Sequence, residues 1–195
     1  MYRASTLTLL AGSVILAGVT HPITSDTWRH GGDDDSPKVA QVVALDECDP
    51  QTFNPAVGEE GTGFCHNVTL YGLKLGFETP LGTLVKEAMD GTPDPAWDFE
   101  PDRLTIETGT TLSVVDQGGE PHTFTEVAHF GGGFVPDLNH GEAAVPECAG
   151  GFKDVAVART RILQGSRLDV AGLSKGKHLF QCCIHPWMHF EVDVK

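Results

Sequence analysis

The stretch that decides the fold lies near the C-terminus, where residues 178–190 read His178-Leu-Phe-Gln-Cys-Cys-Ile-His-Pro-Trp-Met-His-Phe190. Within it, Cys182, His185 and Met188 are each separated by three positions. A thiolate, an imidazole and a thioether in one short loop form a soft ligand set, which favours copper over calcium, magnesium or manganese. Two His and one Cys in a trigonal arrangement, with a weak axial Met, are the ligands of blue-copper sites. The loop therefore predicts three of four copper ligands, and one His must come from elsewhere.

The remaining ligand is predicted at His122, in Gly118-Gly-Glu-Pro-His-Thr-Phe-Thr125, just after a predicted strand. Together with this Pro-His-Thr segment, the pattern Phe180-x-Cys182-x-x-His185-Pro186-x-Met188 resembles the cupredoxins. The short Cys-x-x-His-x-x-Met loop is similar to that of the amicyanin and plastocyanin-like branch. The resemblance covers residues 93–195 and implies an all-β Greek-key sandwich that holds one type 1 copper.

Carried over residue by residue, the resemblance implies the metal ligands His122, Cys182, His185 and Met188. It also implies that His185 reaches the surface, where Pro186 and Trp187 would flank it as an apolar rim. Small, weak interfaces are typical of electron-transfer encounters. Trp187 is therefore expected to pack beside the site and to contribute to transient docking of a redox partner.

The choice between the adjacent Cys182 and Cys183 follows from strand geometry. Alternate residues of a strand share a face, so Phe180 and Cys182 should point to the core together, while Gln181 and Cys183 point the other way. By itself Cys182 is also compatible with a buried thiol or half of a disulfide, but the adjacent His-Pro-x-Met weighs against both.

The remaining histidines are not expected to bind the metal. His189 directly follows Met188, so alternation turns it away, and His129, His140 and His178 are expected at the surface or around the site. His66 lies beside Cys65, but no Cys or His partner stands at a spacing typical of zinc sites.

The N-terminus predicts export. Residues 1–20 contain one Arg and then a short apolar run, which is typical of a secretory signal peptide; an uncleaved membrane anchor is the alternative. An exported chain meets an oxidising compartment, periplasmic or extracellular, in which disulfides persist. The chain has five cysteines, which divide into one copper ligand and two bridges. We expect the bridges Cys48–Cys65 and Cys148–Cys183.

Three further segments follow the signal. Residues 21–38 are polar and acidic and predict a flexible linker. Residues 39–92 are expected to form a small N-terminal extension packed against the main domain, with a strand at 39–45, a turn-rich segment over 46–63 and a helix at 81–89. Residues 93–195 form the predicted cupredoxin domain, with strands near 104–106, 112–114, 155–158, 167–170, 177–181 and 190–194.

Charge restricts the partners. The formal net charge is −14, which disfavours nucleic acid because phosphate binding needs a basic face. An acidic surface steers cationic partners, such as a basic cytochrome or a basic patch on a copper or haem enzyme. The alternative is a solvated acidic surface with no such role. A membrane contact is expected only if the N-terminal segment is uncleaved.

Three functions fit a copper-binding chain, and the sequence favours one. A set of four ligands leaves no open coordination position, whereas a catalytic metal usually keeps one for water or substrate. Multicopper enzymes need further His-x-His pairs, and this sequence has none. We therefore expect an electron carrier rather than an enzyme. Copper delivery or storage is the alternative, although only three methionines are present.

Overall fold

The computed structural model describes residues 38–57, 65 and 78–195. Its strands are β1 (Val39–Leu45), β2 (Asp98–Glu100), β3 (Arg103–Ile106), β4 (Thr111–Asp116), β5 (His122–Thr123), β6 (Thr125–Val127), β7 (Arg161–Ile162), β8 (Arg167–Val170), β9 (Gly176–Gln181) and β10 (His189–Val194). Its helices are α1 (Pro50–Val57), α2 (Leu81–Asp90) and α3 (Val155–Arg159), with 3₁₀ turns at Pro136–Leu138 and Gly151–Lys153.

The described strands form two main sheets, ordered β2-β1-β4-β8 and β3-β10-β9-β6, and a small sheet of β5 and β7. β1 runs parallel to β4, and β3 runs parallel to β10, whereas the other pairs are antiparallel. These sheets confirm the all-β sandwich that the resemblance implies.

The core lies between the sheets and follows the period-two pattern of the sequence. In β10, Phe190, Val192 and Val194 are buried, while the residues between them are partly exposed. Phe124 stacks on Phe180 with ring centroids 4.4 Å apart. This aromatic contact joins the residue that follows β5 to β9, and these two strands position the predicted ligands His122 and Cys182.

The helix predicted at 81–89 is confirmed as α2. Leu84 and Ala88 are buried one turn apart on its inner face. The helix ends at Gly91, whose φ of 71° is left-handed and therefore suits glycine.

Two helices of the structure were not predicted from the sequence. The strand predicted at 155–158 is wrong, because this segment forms α3. Oδ1 of Asp154 accepts the backbone N–H of Ala156 at 2.8 Å, and this N-cap favours a helical turn over the β-propensity of the two valines. The segment 46–63, predicted as turns, contains α1; Asp49 caps it and Pro50 occupies its first turn.

The predicted strand at 39–45 is confirmed with the same limits, but its role differs from the expected one. β1 lies between β2 and β4 inside a main sheet. The boundary predicted at residue 93 therefore separates β1 from the sheet that contains it, and β1 is part of the sandwich. The predicted signal peptide over 1–20, almost all of the linker over 21–38, and His66 lie outside the described residues.

Among the described helices, none has the length and apolar content needed to cross a bilayer.

Candidate metal centre

The four predicted ligands come from β5 and from the connection between β9 and β10. His122 is the first residue of β5, Cys182 follows the last residue of β9, and Met188 precedes the first residue of β10. All four, including His185, are at most 1% exposed. The fold thus buries side chains together that are 60 positions apart in the chain.

Three donor atoms converge on one point. Nδ1 of His122 lies 3.4 Å from Nδ1 of His185, and each lies 3.8 Å from Sγ of Cys182. By simple geometry, a point in their plane is about 2.1 Å from all three, within the roughly 2.0–2.3 Å at which nitrogen and thiolate ligands bind a borderline-soft metal ion. The donor set and its spacing therefore fit a metal ion in trigonal coordination.

Met188 closes the loop that carries two of these donors. Its backbone N–H donates to the carbonyl of His185 at 3.0 Å, and its carbonyl accepts the N–H of Cys182 at 3.1 Å. Its side chain is fully buried in the main core, which also contains Cys182. An axial thioether role for Met188 stays a prediction.

The Cys182 sulfur is surrounded by donors. The backbone N–H of Thr123 points at it from 3.4 Å and that of His185 from 3.5 Å. Burial alone would raise the pKa of the thiol, but the contacts with His122 and His185 hold that pKa well below its usual value. The site therefore favours a thiolate, which is the form that binds metals.

The ring nitrogen of His122 that faces away from the sulfur meets a carboxylate. Nε2 lies 2.9 Å from Oδ2 of Asp46, whose side chain is fully buried. Burial would raise the pKa of Asp46, but the bond from His122 and the backbone N–H groups of Gly119 and Glu120 lower it below its usual value. Burial would lower the pKa of His122, and its contacts with Asp46 and Cys182 raise it well above the ordinary value.

His185 has a comparable but longer contact. Its Nε2 lies 3.3 Å from Oε2 of Glu120. Burial would lower the pKa of His185, while the contacts with Cys182 and Glu120 raise it. Both imidazoles thus turn Nδ1 towards the sulfur and Nε2 towards a carboxylate, an arrangement typical of metal-binding histidines.

His185 does not reach the surface, so the expectation that the resemblance raised is wrong. The Trp97 ring covers it with centroids 4.6 Å apart, and Phe53 of α1 stacks on Trp97 at 5.7 Å. Both covering residues belong to segments that precede or begin the predicted domain, which explains why the C-terminal motif gave no sign of them. Trp187, partly exposed, lies 5.5 Å from His185 and is the aromatic neighbour that links it to the surface.

The predicted disulfides are confirmed. Cys48 is bonded to Cys65, Cys148 is bonded to Cys183, and Cys182 is free and buried. Cys183 belongs to a second apolar cluster with Cys148, whereas Cys182 belongs to the main core. Strand alternation therefore separated the two adjacent cysteines correctly.

Three of the four described histidines outside the site have other contacts. His189 stacks on Phe130 at 3.8 Å, His178 bonds to Glu126 at 2.6 Å, and Nδ1 of His140 lies 2.7 Å from the Met89 carbonyl oxygen. A second group of potential metal ligands in the described part of the chain consists of Asp46, Asp116 and His122.

Two acidic residues around the ligands were not predicted. Glu120 is two positions before His122, and that proximity was an available signal. Asp46 lies 76 positions away, and nothing in the sequence relates it to His122. Its position depends on the pairing of β1 with β4, which brings the end of β1 beside the loop after β4.

Comparison with solved structures finds matches to amicyanin variants and to a purple cupredoxin. Two amicyanin variants are 17% and 18% identical, cover 50% and 49% of this chain and 73% and 71% of their own, and give TM-scores of 0.33 and 0.32. A purple cupredoxin from Nitrosopumilus maritimus is 15% identical, covers 80% of this chain and 99% of its own, and gives a TM-score of 0.36.

Neither a protein-family model nor a curated protein sequence matches the chain. Because the TM-scores are low, the fold class depends on the strand pairing and on the buried side chains described above. The chain resembles the cupredoxins in its all-β sandwich and in its His–Cys–His group.

Proposed function

We propose that this chain is an exported mononuclear copper protein that carries single electrons between redox partners through a His₂-Cys-Met site. The observation that carries the proposal is the buried triangle of His122, His185 and Cys182, whose donor atoms share a centre at metal-binding distance. Copper, when bound, supplies a one-electron couple between Cu(I) and Cu(II).

The protein's part is to hold these donors with little rearrangement. Cys182 receives two backbone N–H groups, both imidazoles are held by carboxylates, and the loop is closed by hydrogen bonds at Met188. Burial excludes bulk water from the donors. A site that moves little between oxidation states favours electron transfer, and a ligand set complete without solvent favours a carrier over an enzyme.

The route to a partner is proposed through Trp187. Because His185 is covered by Trp97, the partly exposed Trp187 ring is the aromatic contact between His185 and the surface. The net charge of −14 favours a cationic redox protein as the partner. We further propose that the protein acts outside the cytoplasm, where its two disulfides would persist.

A potentiometric titration of the copper-loaded protein tests the proposed function. We expect one reversible one-electron transition. We also expect the protein to keep its copper when a strong Cu(I) or Cu(II) chelator is added, since the donors are buried. Rapid loss of copper to the chelator in either oxidation state would contradict electron transfer and support the alternative of copper delivery or storage.

A further inference from the structure

The cluster around Asp46 goes beyond the four predicted ligands. Asp46 is the first residue after β1, and its carboxylate reaches the segment between β4 and β5. Oδ1 accepts the N–H groups of Cys48 at 3.1 Å and Gly119 at 2.9 Å. Oδ2 accepts the N–H of Glu120 at 2.9 Å and lies 2.9 Å from Nε2 of His122.

These contacts assign the hydrogen on the His122 ring. The three backbone partners of Asp46 are donors only, so the carboxylate acts as an acceptor at each of them. Nε2 of His122 must then donate to Oδ2, so the neutral ring, which is the form that binds a metal, has its lone pair on Nδ1. Nδ1 is the nitrogen that faces Cys182 and His185.

The backbone around Asp46 is shaped to admit it. A Cβ on Gly118 would overlap the Asp46 carboxylate, so glycine is needed there for the close approach. The Cys48–Cys65 disulfide holds the chain two residues after Asp46. The carboxylate is therefore held between a disulfide-anchored segment and a glycine-lined loop.

We propose that Asp46 is a positioning residue of the copper site, which fixes the orientation and tautomer of His122 and lowers the reduction potential. A buried negative charge bonded to a ligand imidazole makes that ligand more basic and favours Cu(II) over Cu(I). This inference rests on the proposed function.

A second cation in the Asp46, Asp116 and His122 group is the competing explanation. The donor atoms of the three residues lie within 4.8 Å of one another. However, the oxygens of Asp46 already face four N–H donors, and Nε2 of His122 is one of them. A cation would have to displace these bonds, so the positioning role fits the contacts better.

The test compares Asp46→Asn with Asp116→Asn in the copper-loaded protein, well above pH 7. Both substitutions remove one buried carboxylate, but Oδ1 of Asp116 accepts the N–H of Gly118 and makes no bond to the imidazole. We expect Asp46→Asn to shift the Cu(II)/Cu(I) equilibrium about tenfold towards Cu(I). For a one-electron couple, this shift is a rise of about 59 mV in the reduction potential. Asp116→Asn should shift it by less than half of that.

A nitrogen-detected NMR spectrum of the diamagnetic Cu(I) form supplies an independent readout. In the unsubstituted protein the Nε2–H of His122 should be protected from exchange, and Asp46→Asn should weaken that protection, because an amide oxygen is a weaker acceptor than a carboxylate. If Asp46→Asn fails to fold, Gly118→Ala displaces the carboxylate without changing the charge and should produce the same two effects.

The outcomes separate this inference from the proposed function. Absence of a thiolate–copper band in the unsubstituted protein would contradict the proposed function before any variant is compared. With that band present, an unmoved potential in Asp46→Asn, or equal shifts in both Asn variants, would overturn the positioning role. Loss of a second bound cation in Asp46→Asn, found by metal analysis, would also overturn it.

Discussion

Asp116 is a buried carboxylate with a hydrogen-bond partner at only one of its two oxygens among the described residues. Oδ1 accepts the Gly118 N–H at 2.9 Å, while Oδ2 has no hydrogen-bond partner among the described residues. Burial, partly offset by His122, raises the pKa of Asp116 to about 7. Between pH 3.8, the ordinary pKa of an aspartate, and a pH of about 7, Asp116 keeps a proton in the folded protein that it has lost in the unfolded chain. Stability should therefore fall as pH rises through that window.

The substitution Asp116→Asn should remove this loss of stability at high pH in the metal-free protein. The difference between a pKa of about 7 in the folded protein and 3.8 in the unfolded chain lowers the free energy of unfolding by at most roughly 4 kcal/mol above pH 7. We expect Asp116→Asn to raise the melting temperature more at pH 8 than at pH 5, because Asn stays neutral at both. Melting curves of the two metal-free proteins across this range test it; pH profiles that run parallel would contradict the assigned charge.

At the scale of elements, the loop between β9 and β10 was predictable because its chemistry is local. Cys182, His185 and Met188 lie within seven consecutive residues, so spacing alone related them. Strand alternation then separated Cys182 from Cys183. In contrast, the cover over His185 depends on contacts from α1 and from Trp97, and such long-range packing has no periodic signal in the sequence.

Among the strands and helices too, those with a local sequence pattern were predictable and the others were not. β1, β8 and β10 were predictable because apolar or β-branched residues recur at period two or in short runs. α3 was not, since five residues are too few to show a helical period and its valines favour a strand. The parallel pairing of β1 with β4 joins distant segments, and it decides both the place of β1 in the sheet and the position of Asp46.

The same loop carries the proposed route for the electron. Trp187→Glu adds a negative charge to the surface beside His185 without touching a donor atom. We expect it to slow electron exchange with small redox complexes severalfold while the copper content stays unchanged, because the aromatic contact is lost. Phe152→Glu, on an exposed residue outside the described contacts of the site, is the control. Equal rates for Trp187→Glu and the unsubstituted protein would exclude this route.

At the scale of the whole molecule, residues 38–57 and 78–195 enclose one site from several directions. β1 contributes Asp46, α1 contributes Phe53, and the β9–β10 loop contributes the thiolate. The disulfides Cys48–Cys65 and Cys148–Cys183 anchor the segments that are next to Asp46 and Cys182 in the chain. Closing these long loops restricts the unfolded chain and should add to the stability of the enclosure.

The central claim is that Cys182, His122 and His185 bind one redox-active copper ion. The visible spectrum after addition of one equivalent of Cu(II), and then of ascorbate, tests it most directly when the unsubstituted protein is compared with Cys182→Ser. A Cys148→Ser/Cys183→Ser double variant controls for the loss of sulfur elsewhere. We predict an intense thiolate–copper band that bleaches with ascorbate, survives in the double variant and is absent from Cys182→Ser. A colourless unsubstituted protein, or a band that persists in Cys182→Ser, would contradict the claim.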